Sequence, residues 1–156
     1  MLKFVNTDIV FQEVPDETTL AINLSLCPCH CPGCHSSYLW GDNGNELTPE
    51  ALDVLIGADG SNAITCVSFM GGDNDPAAVS DLAAYVHENY KGLKTAWYTG
   101  RTVISPYIDK QNFDYIKVGP YIRHLGPLKK RTTNQRMYRR KKDGTFEDVT
   151  EWFWKK

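Results

Sequence analysis

The chain has 156 residues, 42% of them hydrophobic and 23% charged, with a formal net charge of -2. This composition excludes a fibrous or disordered chain and a general polyanion binder, and the length suits one domain, residues 1–156, whose core needs no disulfides. No apolar run reaches the ~18 residues needed to cross a bilayer, and the opening MLKFVNTDIVFQEV carries Asp8 and Glu13 where a signal peptide would be apolar, so a cytoplasmic protein with no membrane partner is expected.

In chain order, residues 2–14 and 18–26 favour strand. The second stretch, TTLAINLSL, alternates Leu20, Ile22, Leu24 and Leu26 against smaller or polar neighbours. The segment SLCPCHCPGCHS, residues 25–36, follows directly and holds four of the five cysteines. TPEALDVLIG then predicts a short helix, with Thr48 as N-cap, Pro49 at the first helical position, an apolar stripe at Leu52, Leu55 and Ile56, and a stop at Gly57. AITCVSFM, residues 63–70, suits a buried parallel strand, and DPAAVSDLAAYVHENY a helix capped by Asp75 with Pro76 after it. KTAWYTG is the next strand, a short helix is predicted around 102–110, and FDYIKVG closes the series as a strand. The alternation predicts an α/β fold with a mostly parallel sheet and right-handed crossovers. An eightfold barrel takes roughly 250 residues, so these units can make only a partial, open βα barrel or a short doubly wound sheet.

The cysteine segment leaves the C-terminal end of a strand, where parallel α/β folds gather their ligands. In a reducing cytosol clustered thiols point to metal or redox chemistry, and an odd number of cysteines fits a disulfide framework poorly. Cys27, Cys31 and Cys34 have the spacing C-x3-C-x2-C, and Pro32 and Gly33 allow the tight fold that aims three sulfurs at one centre. Three thiolates on a four-iron cube leave one iron open for a further ligand. The competing reading is a structural zinc site with a fourth ligand from Cys29, His30, His35 or Cys66.

The C-x3-C-x2-C loop after a first strand resembles that of the radical S-adenosylmethionine enzymes. CPGCH followed by Trp40, FMGGD at 69–73, WYTG at 97–100, FDYIKVGPY and TTNQR together resemble the activating proteins of anaerobic ribonucleoside-triphosphate reductases. The resemblance implies a partial barrel of the radical S-adenosylmethionine type. It implies a 4Fe-4S cluster on Cys27, Cys31 and Cys34, and S-adenosylmethionine bound with help from Gly71, Gly72, Asp73, Thr99, Lys117 and Asn134. It also implies an activity: reductive cleavage of the cofactor to a 5'-deoxyadenosyl radical, which takes hydrogen from a glycine of the partner reductase. No catalytic side chain beyond cluster and cofactor is expected, and the electron donor would be a flavodoxin or ferredoxin.

Other features are read more plainly. Cys29 is a spare thiol, Cys66 a small buried hydrophobe, and His35 a loop filler or a donor behind the ligands. Residues 129–142, KKRTTNQRMYRRKK, hold eight of the 17 basic residues and no acid. The expectation there is a mixed role, with Asn134, Gln135 and Arg136 near the cofactor and the charges meeting partner or solvent. No nucleic-acid partner is expected. Trp152, Phe153 and Trp154 close the core or mark a partner surface. The alternatives are an activase for another glycyl radical enzyme and, from a different class, a non-catalytic zinc module binding nucleic acid through 129–142.

Overall fold

The computed structural model describes residues 2–25, 44–57 and 63–154. Strands β1 (Lys3–Val10), β2 (Thr19–Leu24), β3 (Asn45–Glu46), β4 (Cys66–Met70), β5 (Lys94–Tyr98), β6 (Tyr115–Val118), β7 (Arg136–Arg140) and β8 (Phe146–Asp148) form one sheet in the order β3-β1-β2-β4-β5-β6-β7-β8. The parallel pairs are β2–β4, β4–β5 and β5–β6. The flanking pairs are antiparallel, so the sheet is mixed where the sequence predicted mostly parallel pairing.

Helices α1 (Pro49–Gly57) and α2 (Pro76–Asn89) cover one face. Both start as predicted: Thr48 Oγ1 accepts from the Ala51 N–H at 3.1 Å and the Asp75 carboxylate from the Ala78 N–H at 3.3 Å, each supplying a partner to a first-turn amide. The period-two alternation of β2 sends Leu20, Ile22 and Leu24 to this face, where they join Val67, Phe69, Trp97 and Ile116 of the sheet and Leu52, Val79, Leu82 and Val86 of the helices in the main core. The opposite face, which bears no α-helix among the described residues, carries a smaller cluster of Val14, Cys66, Ala96, Tyr115, Leu128, Met137 and Val149, against which Trp152 and Phe153 of a short 3₁₀ helix, Thr150–Trp154, pack. The aromatic tail therefore closes a core, and Trp154 adds an indole N–H to the Leu128 carbonyl at 2.9 Å.

Two expectations change. The helix predicted at 102–110 is absent; a 3₁₀ turn, Lys110–Asn112, capped by Asp109, takes its place at the end of the segment. Thr102, Val103 and Ile104 are β-branched and Pro106 follows, a run that resists helix. Five residues of the basic run, meanwhile, form strand β7. There Arg139 pairs with Glu147 at 2.6 Å and Arg140 with Asp114 at 3.0 Å, while Lys129, Lys130 and Arg131 are exposed.

Asp114 stands just before β6 and gathers the amino-terminal edge. Its carboxylate accepts from the Thr95 N–H at 2.9 Å and from Arg140, and lies 3.0 Å from His87 Nε2 in the last turn of α2. Burial alone would raise its pKa, but His87, the Thr95 amide and Arg140 outweigh it and hold the group below the usual carboxylate range. A carboxylate depressed on folding adds stability above its unfolded pKa of about 3.9 and loses it as pH falls through the lower folded value. Asp114→Asn should therefore melt well below the parent at neutral pH, with the gap narrowing as pH drops below about 4. Thermal melts across that range check this; a gap constant with pH would refute the ion-pair account.

Candidate cofactor site at the carboxyl edge of the sheet

The parallel register places Asn23, Met70, Tyr98 and Lys117 in one row across β2, β4, β5 and β6, at the carboxyl ends of the strands and on the helix-free face. Ser25, the last described residue before the cysteine segment, is buried and donates its N–H to the Lys3 carbonyl at 2.9 Å, fixing the exit of the chain from β2. Cys27, Cys31 and Cys34, like Cys29, His30, His35 and Trp40, lie outside the described residues. Among the described residues no group of three His, Cys, Asp or Glu is placed to hold a metal ion.

Beyond β4, Gly71 and Gly72 both have positive φ, +105° and +85°. Gly71 is clamped to β5: its N–H donates to the Tyr98 carbonyl at 2.9 Å, and its carbonyl accepts the Trp97 indole N–H at 2.7 Å. Trp97, read from sequence as a strand residue of the WYTG stretch, thus anchors the turn. A Cβ on Gly72 would point into the main core, 2.6 Å from Val79 Cγ2 and 2.9 Å from Leu24 Cδ1. Glycine is required there by packing, whereas the sequence reading tied it to close approach of a ligand. Asp73, 5% exposed, is held by the Thr99 hydroxyl and, at 3.3 Å, by the Gly100 N–H.

Lys117, 7% exposed, donates from Nζ to the carbonyls of Thr99 at 3.2 Å and Gly119 at 3.0 Å and lies 5.4 Å from the centre of the Tyr98 ring. Its charge is thus directed to the strand ends it ties together. Asn134 donates from Nδ2 to the Pro120 carbonyl at 3.1 Å, while its Oδ1 is buried with no hydrogen-bond partner among the described residues. The structure therefore brings Gly71, Asp73, Thr99, Lys117 and Asn134 to one edge, linked through β5 and β6.

Cys66 sits at the other end. It is the first residue of β4, paired with Thr19 at the start of β2, so the length of β2 separates it from Ser25, the last described residue before the cysteine segment. It is fully buried, and burial, then the nearby Glu17 charge, pushes its thiol pKa far up, which leaves an inert neutral thiol.

The sequence profile of the 4Fe-4S single cluster domain family matches residues 18–122, more than half of the chain. The chain belongs to this family. The match begins one residue before β2, spans the cysteine segment and the Gly-Gly-Asp turn, and ends just beyond β6. Membership of the 4Fe-4S single cluster domains supports a 4Fe-4S cluster as the bound group. Searches of curated proteins and of solved structures gave no match. Among the described residues no helix of this 4Fe-4S domain is long and apolar enough to cross a membrane.

Proposed function

We propose that this 4Fe-4S domain is a partial βα barrel of the radical S-adenosylmethionine type that activates an anaerobic ribonucleoside-triphosphate reductase by generating its glycyl radical. The observation carrying the reading is positional: β2, which the C-x3-C-x2-C segment follows in sequence, ends at the same carboxyl edge at which Gly71, Asp73, Thr99, Lys117 and Asn134 meet. Those residues fit the proposed ligands. Three thiolates suit an iron-sulfur cube with one open iron, and the unpartnered Asn134 Oδ1 is an acceptor for an N–H or O–H of a bound cofactor.

Cluster and cofactor together would supply one-electron cleavage of a sulfonium bond and, through it, abstraction of a hydrogen atom. The chain's own part is to hold the edge still. Thr99 and Gly100 orient Asp73, Trp97 fixes Gly71, and Lys117 ties the end of β5 to the turn after β6. A partner loop bearing the target glycine would cap the helix-free face and keep water and stray hydrogen donors from the reacting centre.

Anaerobically purified, reduced protein given S-adenosylmethionine and the anaerobic reductase of the same cell should produce 5'-deoxyadenosine and a glycyl radical doublet in electron paramagnetic resonance. A doublet only with another glycyl radical enzyme of that cell would keep the chemistry and change the partner. A colourless protein containing zinc without iron or sulfide would overturn the activity.

A further inference from the structure

Beside the smaller core cluster, a groove of about 620 Å³ runs between the β1–β2 connection and the 3₁₀ helix Thr150–Trp154, lined by Phe11, Pro15, Trp152 and Phe153 with Asp16 and Lys129 among them. Phe11 is 68% exposed. A lone exposed phenylalanine needs no explanation, but next to the half-buried Pro15, Trp152 and Phe153 it completes an apolar, aromatic patch.

The aromatic wall is held in place before anything docks. The Arg139 guanidinium, paired with Glu147, lies 5.1 Å from the centre of the Trp152 ring, and that of Arg131 lies 5.5 Å from the Trp154 ring. Trp154 is fixed further by its indole N–H on the Leu128 carbonyl. Such anchors lose little freedom on binding.

The charge beside the groove is one-sided. Residues 120–135, which join β6 to β7, contain no Asp or Glu, and Lys129, Lys130 and Arg131 within them are exposed. Among the described residues none of these three is paired with a carboxylate; Lys129 donates to the neutral Gln12 Oε1 at 2.6 Å.

We infer that this groove docks an acidic segment of a protein partner, with one apolar side chain seated against Phe11, Pro15 and Phe153 and flanking carboxylates on Lys129, Lys130 and Arg131. Such a segment supplies the charge these cations lack, and aromatic and arginine contacts are the kind that carry binding energy. A nucleic-acid strand would also meet rings and cations, but Asp16 lines the groove: its carboxylate repels phosphates and accepts the N–H groups of a peptide backbone. The surface stands on its own geometry and does not depend on the proposed activity.

The test titrates the full, cluster-loaded chain with an acetylated, amidated peptide holding phenylalanine between two pairs of glutamates. Fluorescence anisotropy reads affinity, and the ¹⁵N indole signals of tryptophan read position. The Trp152 signal should shift, while that of Trp97, whose indole N–H is bonded to Gly71 in the core, should stay. Affinity should fall about tenfold when serine replaces the peptide's phenylalanine, about tenfold in Phe11→Ser, and further in Lys129→Glu with Lys130→Glu, all exposed positions whose change leaves both cores intact. It should also weaken as salt shortens the Debye length from about 10 to about 3 Å. The inference fails if the glutamate peptide does not bind, if a lysine-flanked peptide binds as well, or if the Phe11 and lysine variants keep the parent's affinity. Displacement of the peptide by oligothymidylate would make this a nucleic-acid surface, and self-association reversed by the peptide would make it a contact between copies of this chain; either overturns the assignment.

Discussion

Alanine at Cys27, Cys31 or Cys34 should each abolish the 4Fe-4S cluster, measured as loss of the brown chromophore and of iron and sulfide in protein purified without oxygen. The expectation rests on stoichiometry. A cube with three protein ligands and one open iron has no spare thiolate to lose, and a single substitution leaves two irons without protein ligands. Cys29→Ala should keep most of the cluster, because Cys29 stands outside the C-x3-C-x2-C spacing. Cys66→Ala should keep it for a reason the fold supplies: Cys66 opens β4 at the amino-terminal end of the sheet, buried against Val14 and Ala96 with its thiol held neutral. Its loss should appear as a small drop in stability, on the order of 1 kcal/mol for a small buried side chain that loses one heavy atom. A full complement of iron and sulfide in Cys31→Ala would remove the ligand assignment and with it the proposed activity.

The parts of the fold that were legible in the sequence are those where local chemistry and burial agree. β2 and β4 are apolar because both flank the core, and both helices announce themselves by a capping side chain followed by proline. The β7–β8 hairpin was hidden because RMYRR offers only one buried apolar residue, Met137; its charges are satisfied across strands by Glu147 and by Asp114, pairings that no local window contains. One local clue existed in Asp143-Gly144, with Gly144 at φ +88° in the turn joining the two strands. The site divides in the same way. Family resemblance and strand-end position pointed to Gly71, Asp73 and Thr99, and the structure places all three at the carboxyl edge, because they are close in sequence to the strand ends they occupy. Trp97 acts through side-chain direction, which depends on the pleat and on register with distant strands.

Gly72→Ala should cost the protein substantially more stability than Gly71→Ala, although the two glycines are adjacent and both have positive φ. The shared part of the cost is backbone strain, about 1–3 kcal/mol for a non-glycine residue held in that region. The difference lies in where each Cβ would go. At Gly71 the nearest atoms are the Leu24 carbonyl oxygen at 3.5 Å and Leu24 Cβ at 3.8 Å, ordinary contact distances. At Gly72 they are Val79 Cγ2 at 2.6 Å, Leu24 Cδ1 at 2.9 Å and Leu2 Cδ2 at 3.3 Å. Val79 and Leu24 are fully buried, so neither has an empty direction in which to retreat. Overpacking of this kind adds about 1–3 kcal/mol, which brings Gly72→Ala to about 2–6 kcal/mol, and Gly72→Val should be worse still. Against a total stability of about 5–15 kcal/mol, the valine variant is expected to approach the unfolding threshold at ordinary temperature. Urea unfolding of the three variants beside the parent reads this as successive drops in midpoint. The same experiment separates two roles for the glycine pair. If the valine variant unfolded with the parent's midpoint and lost only affinity for S-adenosylmethionine, the vacant side of Gly72 would face the cofactor. The contacts to Val79 and Leu24 predict the reverse order: the fold weakens first, and any loss of cofactor binding follows from a displaced turn.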